Sequence, residues 1–260
     1  MMVGPMSKLA ITHAVSPALG ACELTHQARV PIDFDLARAQ HRAYEQALRD
    51  AGYLVDHLEG GVDLPDSVFV EDIAVVFDEL AIITRPGAPS RRPEVTVITR
   101  ALDRLRKLHF IVPPGTLDGG DVLVVGRRGF VGISTRTNHD AAIQMHQILS
   151  PHGYAIREVA VTGGLHLKSA VTALTDELLL VNPAWIDTAQ LPGFRFLEVD
   201  PAEPSGANAL RLDDRILYST AFPRTADRMR EAGLRVQAIE TTEVAKAEGA
   251  VTCCSLLVSQ

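Results

Sequence analysis

The sequence predicts an α/β fold in which five ββαβ units stand radially as a closed α/β propeller with pseudo-fivefold symmetry. Three observations carry that prediction. Short β-rich runs come in pairs, and each pair is followed by a helical stretch and one further strand. The first strands of successive units start about 40–50 residues apart, a spacing that marks repeated supersecondary units. Both ends of the chain carry strand pattern rather than polar tails, so the last strand can complete a unit with the first.

The units follow one another along the chain. The first has strands IAVVF (73–77) and LAIITR (80–85), an amphipathic stretch around 92–108, and strand FIVP (110–113). The second has DVLVVG (121–126), FVGIS (130–134), a helix near 137–150 and YAIREV (154–159). The third has AVTAL (170–174), ELLLVN (177–182), a short helical piece near 184–190 and FRFLEV (194–199). The fourth has NALRL (208–212), RILYS (215–219), a helix near 224–232 and LRVQAIE (234–240). The fifth joins the ends: CSLLVS (254–259) pairs with LAITHAV (9–15), followed by helix 35–51 and strand YLVDHLE (53–59). Radial closure leaves no long open sheet edge. An open α/β sheet is the alternative, but the hairpin pairs argue against purely parallel βαβ topology. With no Pro/Ser/Gly linker tract, residues 1–260 read as a single domain.

Composition narrows the function classes. Of 260 residues, 47% are hydrophobic and 22% charged, which suits a globular protein with a sizeable core. Aromatics are only 5%, so Ala, Val, Leu and Ile must build that core. A net charge of −7 and no basic run argue against nucleic acid as a partner and suit a small cationic one. The start, MMVGPMSKLAITHAV, shows no signal-peptide pattern, and no segment approaches the roughly 18–20 apolar residues of a membrane span. Three cysteines, an odd number, do not make a disulfide framework, and the expected compartment is the cytoplasm.

The most informative pattern is what precedes each unit's first strand. It is Glu71-Asp72, then Asp118-Gly119-Gly120-Asp121, then His166, Asn208 and Cys253. Taken singly, each is more often a cap, a turn or a core residue than a functional one; their common phase reverses that weighting. Equivalent positions of a radial repeat lie near one end of its axis, so a thiol, an imidazole and several carboxyls would share one pocket. A cysteine attacks as thiolate, and a nearby histidine can take its proton or protonate a leaving group. The surplus of acids suits a cation, such as a guanidinium held by paired hydrogen bonds. That cation would itself favour the thiolate.

Two cysteines stand adjacent in GAVTCCSLLV (249–258). In a strand they would face opposite ways, which makes a poor chelate, because zinc sites usually space cysteines two to four residues apart. Adventitious zinc could bind Cys253 with His166 and inhibit. The repeat phase selects Cys253 for the pocket and leaves Cys254 as a small core residue.

Longer stretches carry a resemblance. PDSVFVEDIAVV (65–76), ITRPGAPSRR (83–92), LDGGDVLVVG (117–126), VGISTRTN (131–138), GLHLKSA (164–170), SGAN (205–208) and VTCCSLLV (251–258) resemble, in order, segments of the dimethylarginine dimethylaminohydrolases of the guanidine-modifying superfamily. The resemblance implies the same five-bladed propeller and hydrolysis of Nω-methylated arginine to citrulline and a methylamine, without cofactor or metal. It implies Cys253 as nucleophile, His166 as general acid/base and Asp118 as the acid supporting the histidine. Asp72 with Glu71 would order the substrate's charged end, and Asp66 would lie near its amino-acid end. Arg91 and Arg136 would clamp the α-carboxylate, while Leu24 and Ala247 would offer backbone contacts. Two rival functions remain: an arginine deiminase-like or other amidine hydrolase, and an inactive propeller that senses arginine-like ligands. The first commonly carries a helical insertion for which this chain is too compact. The intact set of Cys253, His166 and Asp118 weighs against the second. The sequence leaves a homo-oligomer open.

Bland readings apply elsewhere. Asn138 reads as a helix N-cap, Asn208 as a backbone brace, and Gly119-Gly120 as a turn. His109, His139, His146 and His152 have no phase relation to the repeats. His13 and His26 lie near an N-terminal loop that would cover the pocket.

Overall fold

The computed structural model describes residues 8–61 and 63–259. The chain begins with β1 (Lys8–His13), α1 (Phe34–Asp50) and β2 (Tyr53–Leu58). Next come β3 (Ala74–Val76), β4 (Leu80–Ile83), α2 (Val95–Leu102) and β5 (Lys107–Phe110). They are followed by β6 (Val122–Val125), β7 (Arg128–Ile133), α3 (His139–Leu149) and β8 (Ala155–Ala160). A one-turn helix, α4 (Leu167–Ala170), leads into β9 (Val171–Ala173), β10 (Leu178–Val181) and β11 (Arg195–Glu198). The chain ends with β12 (Leu210–Leu212), β13 (Arg215–Ser219), α5 (Pro223–Glu231), β14 (Arg235–Ile239), α6 (Thr242–Ala245) and β15 (Leu256–Ser259).

Among the described residues these strands form five three-stranded sheets. In each, the first strand pairs antiparallel with the middle one, and a crossover brings the third in parallel. The fifth sheet joins the two ends of the chain as its sequence pattern requires. β15 pairs antiparallel with β1, setting Leu9 opposite Val258 and Ile11 opposite Leu256, while β2 runs parallel on the other side. The architecture is the five-bladed α/β propeller.

Apolar side chains gather between neighbouring blades, and this packing shows that the ring closes. Ile11, Leu256 and Val258 of the closing blade meet Ile73, Ala81 and Ile83 of the next. On its other side, Ala10 and Tyr44 meet Leu210, Leu212 and Leu217. Val122 and Val131 meet Val75 and Ile82, Leu123 and Phe130 meet Val171 and Leu179, and Leu180 meets Ile216 and Tyr218. Alternate residues of each strand thus serve opposite interfaces, which is why period-2 runs apolar on both faces dominate the sequence.

Helix starts follow local chemistry. Asp33 caps α1 by accepting from the Leu36 amide at 3.0 Å, and Asn138 caps α3 by accepting from the Ala141 amide at 3.1 Å. Pro223 opens α5, where its missing N–H costs nothing.

The short helical piece expected near 184–190 is a single 3-10 turn at Thr188–Gln190, kept short because Pro183 and the Pro192-Gly193 pair leave little chain between them. Two expectations need correction. The stretch at 92–108 splits into a 3-10 turn, Pro89–Glu94, and the short α2, and β5 starts three residues early to pair Lys107 with Leu80. Cys253 and Cys254 lie in a turn before β15, not in the strand. Strand alternation therefore does not separate them.

The turn is held from outside. The buried hydroxyl of Tyr44 on α1 donates to the Val251 carbonyl at 2.9 Å and lies 2.6 Å from Ser255 Oγ. Tyr44→Phe should destabilise the fold by about 1–2 kcal/mol, because a buried acceptor loses its donor; urea denaturation reads the change.

Candidate active site

Each blade's first strand is preceded by a short turn, and these turns meet at one end of the axis. Val70–Ile73 and Gly119–Asp121 are 3-10 turns, His166 caps α4, and Asn208 and Cys253 stand in turns before β12 and β15. Backbone and side-chain bonds lock them together. The Glu71 amide donates to the Cys253 carbonyl at 3.1 Å. The Glu71 carboxylate accepts from Thr252 Oγ1 at 2.7 Å and pairs with Lys168 Nζ at 2.6 Å. Asn208 donates to Thr252 Oγ1 at 2.9 Å and to the Lys168 carbonyl at 3.2 Å, and accepts from the Thr252 amide at 3.1 Å. Asn208 is thus a brace, as its sequence context suggests.

His166 stands between two buried carboxylates. Its Nε2 lies 3.1 Å from Asp118 Oδ2, and its Nδ1 lies 3.8 Å from Asp72 Oδ1. Asp118 is itself fixed: its other oxygen accepts from the Gly87 amide at 2.9 Å. Burial alone would lower the imidazole's pKa. The charge of Asp72, then the hydrogen bond to Asp118 and the charges of Asp121 and Asp118, lift it instead to about 9. His166 is therefore an imidazolium at neutral pH.

The Gly119-Gly120 pair is more than a turn. A Cβ on Gly120 would sit 2.5 Å from His166 Nδ1, and one on Gly119 would sit 2.0 Å from the Glu71 carbonyl. Only glycine lets the second blade's turn approach the histidine so closely.

Cys253 is half-buried and Cys254 buried. Desolvation first, and then the charges of Glu71 and Asp72, push the Cys253 thiol well above its ordinary pKa. Burial drives Cys254 up to about 12, and its side chain packs in the core cluster with Tyr44 and Val251. The two thiols diverge because one faces the axis and the other the α1 side.

Cys253 and His166 sit where two cavities meet. The larger, about 540 Å³, is lined by His26, Glu71, Lys168, Trp185, Phe222 and Glu248 among others. The smaller recess is walled by Glu23, Asp66, Asp72, Arg91, Arg136 and Ala247. Asp118 lines neither and supports His166 from behind. Leu24 also lines neither; its neighbour Glu23 does, with its amide donating to the Asp66 carboxylate at 3.1 Å.

The two arginines differ. Arg91 is buried, with Nη1 2.5 Å from Asp72 Oδ2 and Nη2 2.9 Å from Glu94 Oε2. Its guanidinium is committed to two carboxylates and to the Asp66 and Phe69 carbonyls, so it holds Asp72 in place rather than standing free to clamp a ligand. Arg136 donates to Thr25 Oγ1 at 3.0 Å and is 3.9 Å from Asp118, leaving donor capacity for an anion. Burial would raise the Asp72 pKa, but His166 and Arg91 more than offset it and keep the carboxylate ionised.

Sequence reasoning missed Lys168, Thr252 and Glu248. Lys168 and Thr252 each lie within two residues of a predicted site residue, so their proximity was available as a signal. Glu248, next to Ala247, had the same signal, but its role appears only in three dimensions. It has a φ of 58° and accepts from the Thr25, His26 and Gln27 amides at 3.0, 2.5 and 2.6 Å, tying the loop 23–27 over the pocket.

Chemically the site offers a sequestered thiol, a proton-bearing imidazole and an excess of carboxylate. No family model matches the chain. It is 40% identical over 252 residues to the N(G),N(G)-dimethylarginine dimethylaminohydrolase of Streptomyces coelicolor, with 96% of both chains covered. It superposes with a TM-score of 0.92 on the dimethylarginine dimethylaminohydrolase of Pseudomonas aeruginosa, a cysteine-to-serine mutant complexed with citrulline, at 33% identity over 97% of this chain and 99% of that one. A further dimethylarginine dimethylaminohydrolase structure, a histidine-to-glycine variant as an adduct with S-methyl-L-thiocitrulline, gives a TM-score of 0.91 at 33% identity, covering 97% of this chain and all of that one.

The raised pKa of His166 makes stability depend on pH. The unfolded imidazole titrates near 6.5, so the stabilisation is complete below about pH 6.5 and is lost as pH rises through about 9. Urea denaturation across this window should show native stability falling more steeply than that of His166→Asn.

Proposed function

This chain belongs to the dimethylarginine dimethylaminohydrolase family, and on that premise we propose that it hydrolyses Nω-methylated arginines, asymmetric dimethylarginine and monomethylarginine, to citrulline and a methylamine. The observation that carries this reading is the meeting of Cys253 and His166 at the junction of two cavities, beside carboxylates that match a cation. We read residues 1–260 as one catalytic domain of a cytoplasmic enzyme. No helix among the described residues is long and apolar enough to cross a membrane.

In the proposed pose the substrate's amino-acid end enters the recess walled by Asp66, Arg136 and Ala247, and the guanidinium reaches Cys253 and Asp72. Arg136 pairs with the α-carboxylate and Asp66 with the α-ammonium. The cation beside Cys253 offsets the acids that add to burial in holding the thiol protonated, so binding favours release of the thiol proton to water. The thiolate sulfur bonds to the guanidinium carbon, and the electron pair of the C=N bond moves onto nitrogen. His166, already an imidazolium, protonates the methyl-bearing nitrogen. The C–N bond breaks, the methylamine leaves, and a thiouronium joins the substrate to Cys253. Neutral His166 then takes a proton from water as the oxygen attacks the same carbon. The C–S bond breaks, citrulline departs and the thiol is restored. The attacked carbon belongs to a cation, so the step needs no oxyanion donor. Positioning by the carboxylates contributes instead. The reaction uses only these side chains and no cofactor.

Cys253→Ser should abolish citrulline formation, and Cys254→Ser should leave most of it. Equal loss in two well-folded variants would sink the assignment of the nucleophile. A panel of arginine, monomethylarginine and asymmetric and symmetric dimethylarginine separates this activity from deimination of arginine, and no turnover at all would favour a ligand sensor.

The arginines should separate as well. Arg136→Ala should chiefly raise KM, by tenfold or more for loss of a charge-assisted pair of about 1.5–3 kcal/mol. Arg91→Ala should instead destabilise the fold by about 3–5 kcal/mol, since it strands Asp72 and Glu94 in the interior; steady-state kinetics and denaturant titration read the two effects.

A further inference from the structure

A second group of ligating side chains lies in the closing blade, where α1 packs against β2. His41 and Glu45 stand four residues apart on α1 and so share one face of it. His57 on β2 reaches the same spot, and its strand partner on β1 is Thr12. His41 Nε2 lies 3.5 Å from Glu45 Oε1, and His57 Nδ1 lies 2.5 Å from the same oxygen. One ligand atom from each of the three residues falls within 4.8 Å of the other two.

As a purely structural network this group is incompletely satisfied, because Glu45 Oε1 already accepts from Thr12 and lies 2.5 Å from His57. His41 is only 5% exposed, yet its Nε2 makes only the long 3.5 Å ion-pair contact to Glu45 Oε1 and no well-formed hydrogen bond. Buried polar atoms without partners are rare and costly, and a metal ion is one of the groups that satisfies them. We propose that His41 Nε2, Glu45 Oε1 and His57 Nδ1 bind a divalent cation of the zinc class, at a site separate from Cys253.

The donor set suits that ion. Two imidazoles and a carboxylate are zinc donors at about 2.0–2.2 Å, and a fourth, open position completes a tetrahedron. Tetrahedral donors at that radius stand about 3.4 Å apart, close to the 3.5 Å between His41 and Glu45. The closer His57 has to swing outward by about 1 Å to reach that spacing. Its side chain is 35% exposed, so it has the room and places the fourth position on the solvent side.

Glu45 is oriented by a donor outside the triad, since Thr12 Oγ1 donates to Oε1 at 2.7 Å. Such outer partners fix a ligand's orientation at metal sites. Arg49 approaches the other oxygen, Oε2, at 3.3 Å and moderates the site's pull on a cation without occupying the coordinating atom. Among the described residues His13 also interacts with both His41 and His57, and the Tyr44 ring stacks on that of His41 at 5.9 Å. Neither His41, Glu45 nor His57 lines the two cavities at Cys253. A bound ion would cross-link α1 to β2, and α1 carries the Tyr44 that holds the Cys253 turn.

Cobalt(II) titration tests the proposal, run on the native chain and on Cys253→Ser, which removes the competing thiolate. The expected result is one Co2+ per chain in Cys253→Ser, with tetrahedral d–d absorption and no thiolate-to-metal charge-transfer band. His57→Gln in that background should weaken binding at least tenfold. Zn2+ should raise the Tm of Cys253→Ser and leave that of the double variant unmoved. Absence of binding in Cys253→Ser, or binding unchanged by His57→Gln, overturns the proposal. Should His57→Gln melt below its parent without metal, His41→Asn gives the same reading from the helix side, judged by the same two outcomes.

Discussion

The arrangement at the axis depends on one carboxylate. Glu71 receives the Thr252 hydroxyl from the last blade and pairs with Lys168 from the third, while its own amide reaches the Cys253 carbonyl. Three turns from three blades therefore meet through one residue, and Asn208 of a fourth ties Thr252 to Lys168. Blade-to-blade packing is apolar and nondirectional, so it closes the ring without fixing the turns at its end. Directional bonds to Glu71 supply that. A half-satisfied polar network in this position would cost more than an apolar one, because each buried charge here depends on its partner.

Ring closure and site assembly are thus coupled. Cys253 belongs to the turn before β15, and β15 is held by β1 from the opposite end of the chain. The position of Cys253 depends on contacts more than 200 residues apart in sequence, including Tyr44 with Val251. Such contacts form only after long loops close, and they are paid for by burial between blades rather than by local propensity.

Much of this was legible in the sequence because the repeat converts a three-dimensional question into a one-dimensional one. Residues at the same phase of each unit must meet at the axis, and Glu71, Asp72, Asp118, His166, Asn208 and Cys253 do. What was not legible depends on partners distant in sequence. Arg91 reads as a ligand-clamping arginine until Glu94 and Asp72 are seen around it. The cysteine doublet reads as strand because apolar residues follow it, whereas the turn is set by Tyr44 and Ser255. His41 and His57 belong to the repeat's outer layer, where phase along the axis carries no information. The glycine pair reads as a turn because an absent Cβ leaves no pattern; only the 2.5 Å approach to His166 reveals its purpose.

The electrostatics of the pocket explain why substrate charge and chemistry belong together. Burial, and then the charges of Glu71 and Asp72, hold Cys253 as a thiol, while the charges of Asp72, Asp121 and Asp118 overcome burial and hold His166 as an imidazolium. In the proposed reaction the free site thus holds a proton where a leaving amine would need it and withholds the thiolate. A neutral ligand supplies no charge to offset those carboxylates. A guanidinium placed against Asp72 offsets the same charges that oppose the thiolate, and desolvation strengthens that attraction once the ligand fills the recess. It also weakens the carboxylates' hold on the imidazolium proton, which moves His166 toward the acidity that proton donation requires. One cation therefore acts on both groups in the productive direction, and selectivity for cationic substrates follows from activation as well as from binding.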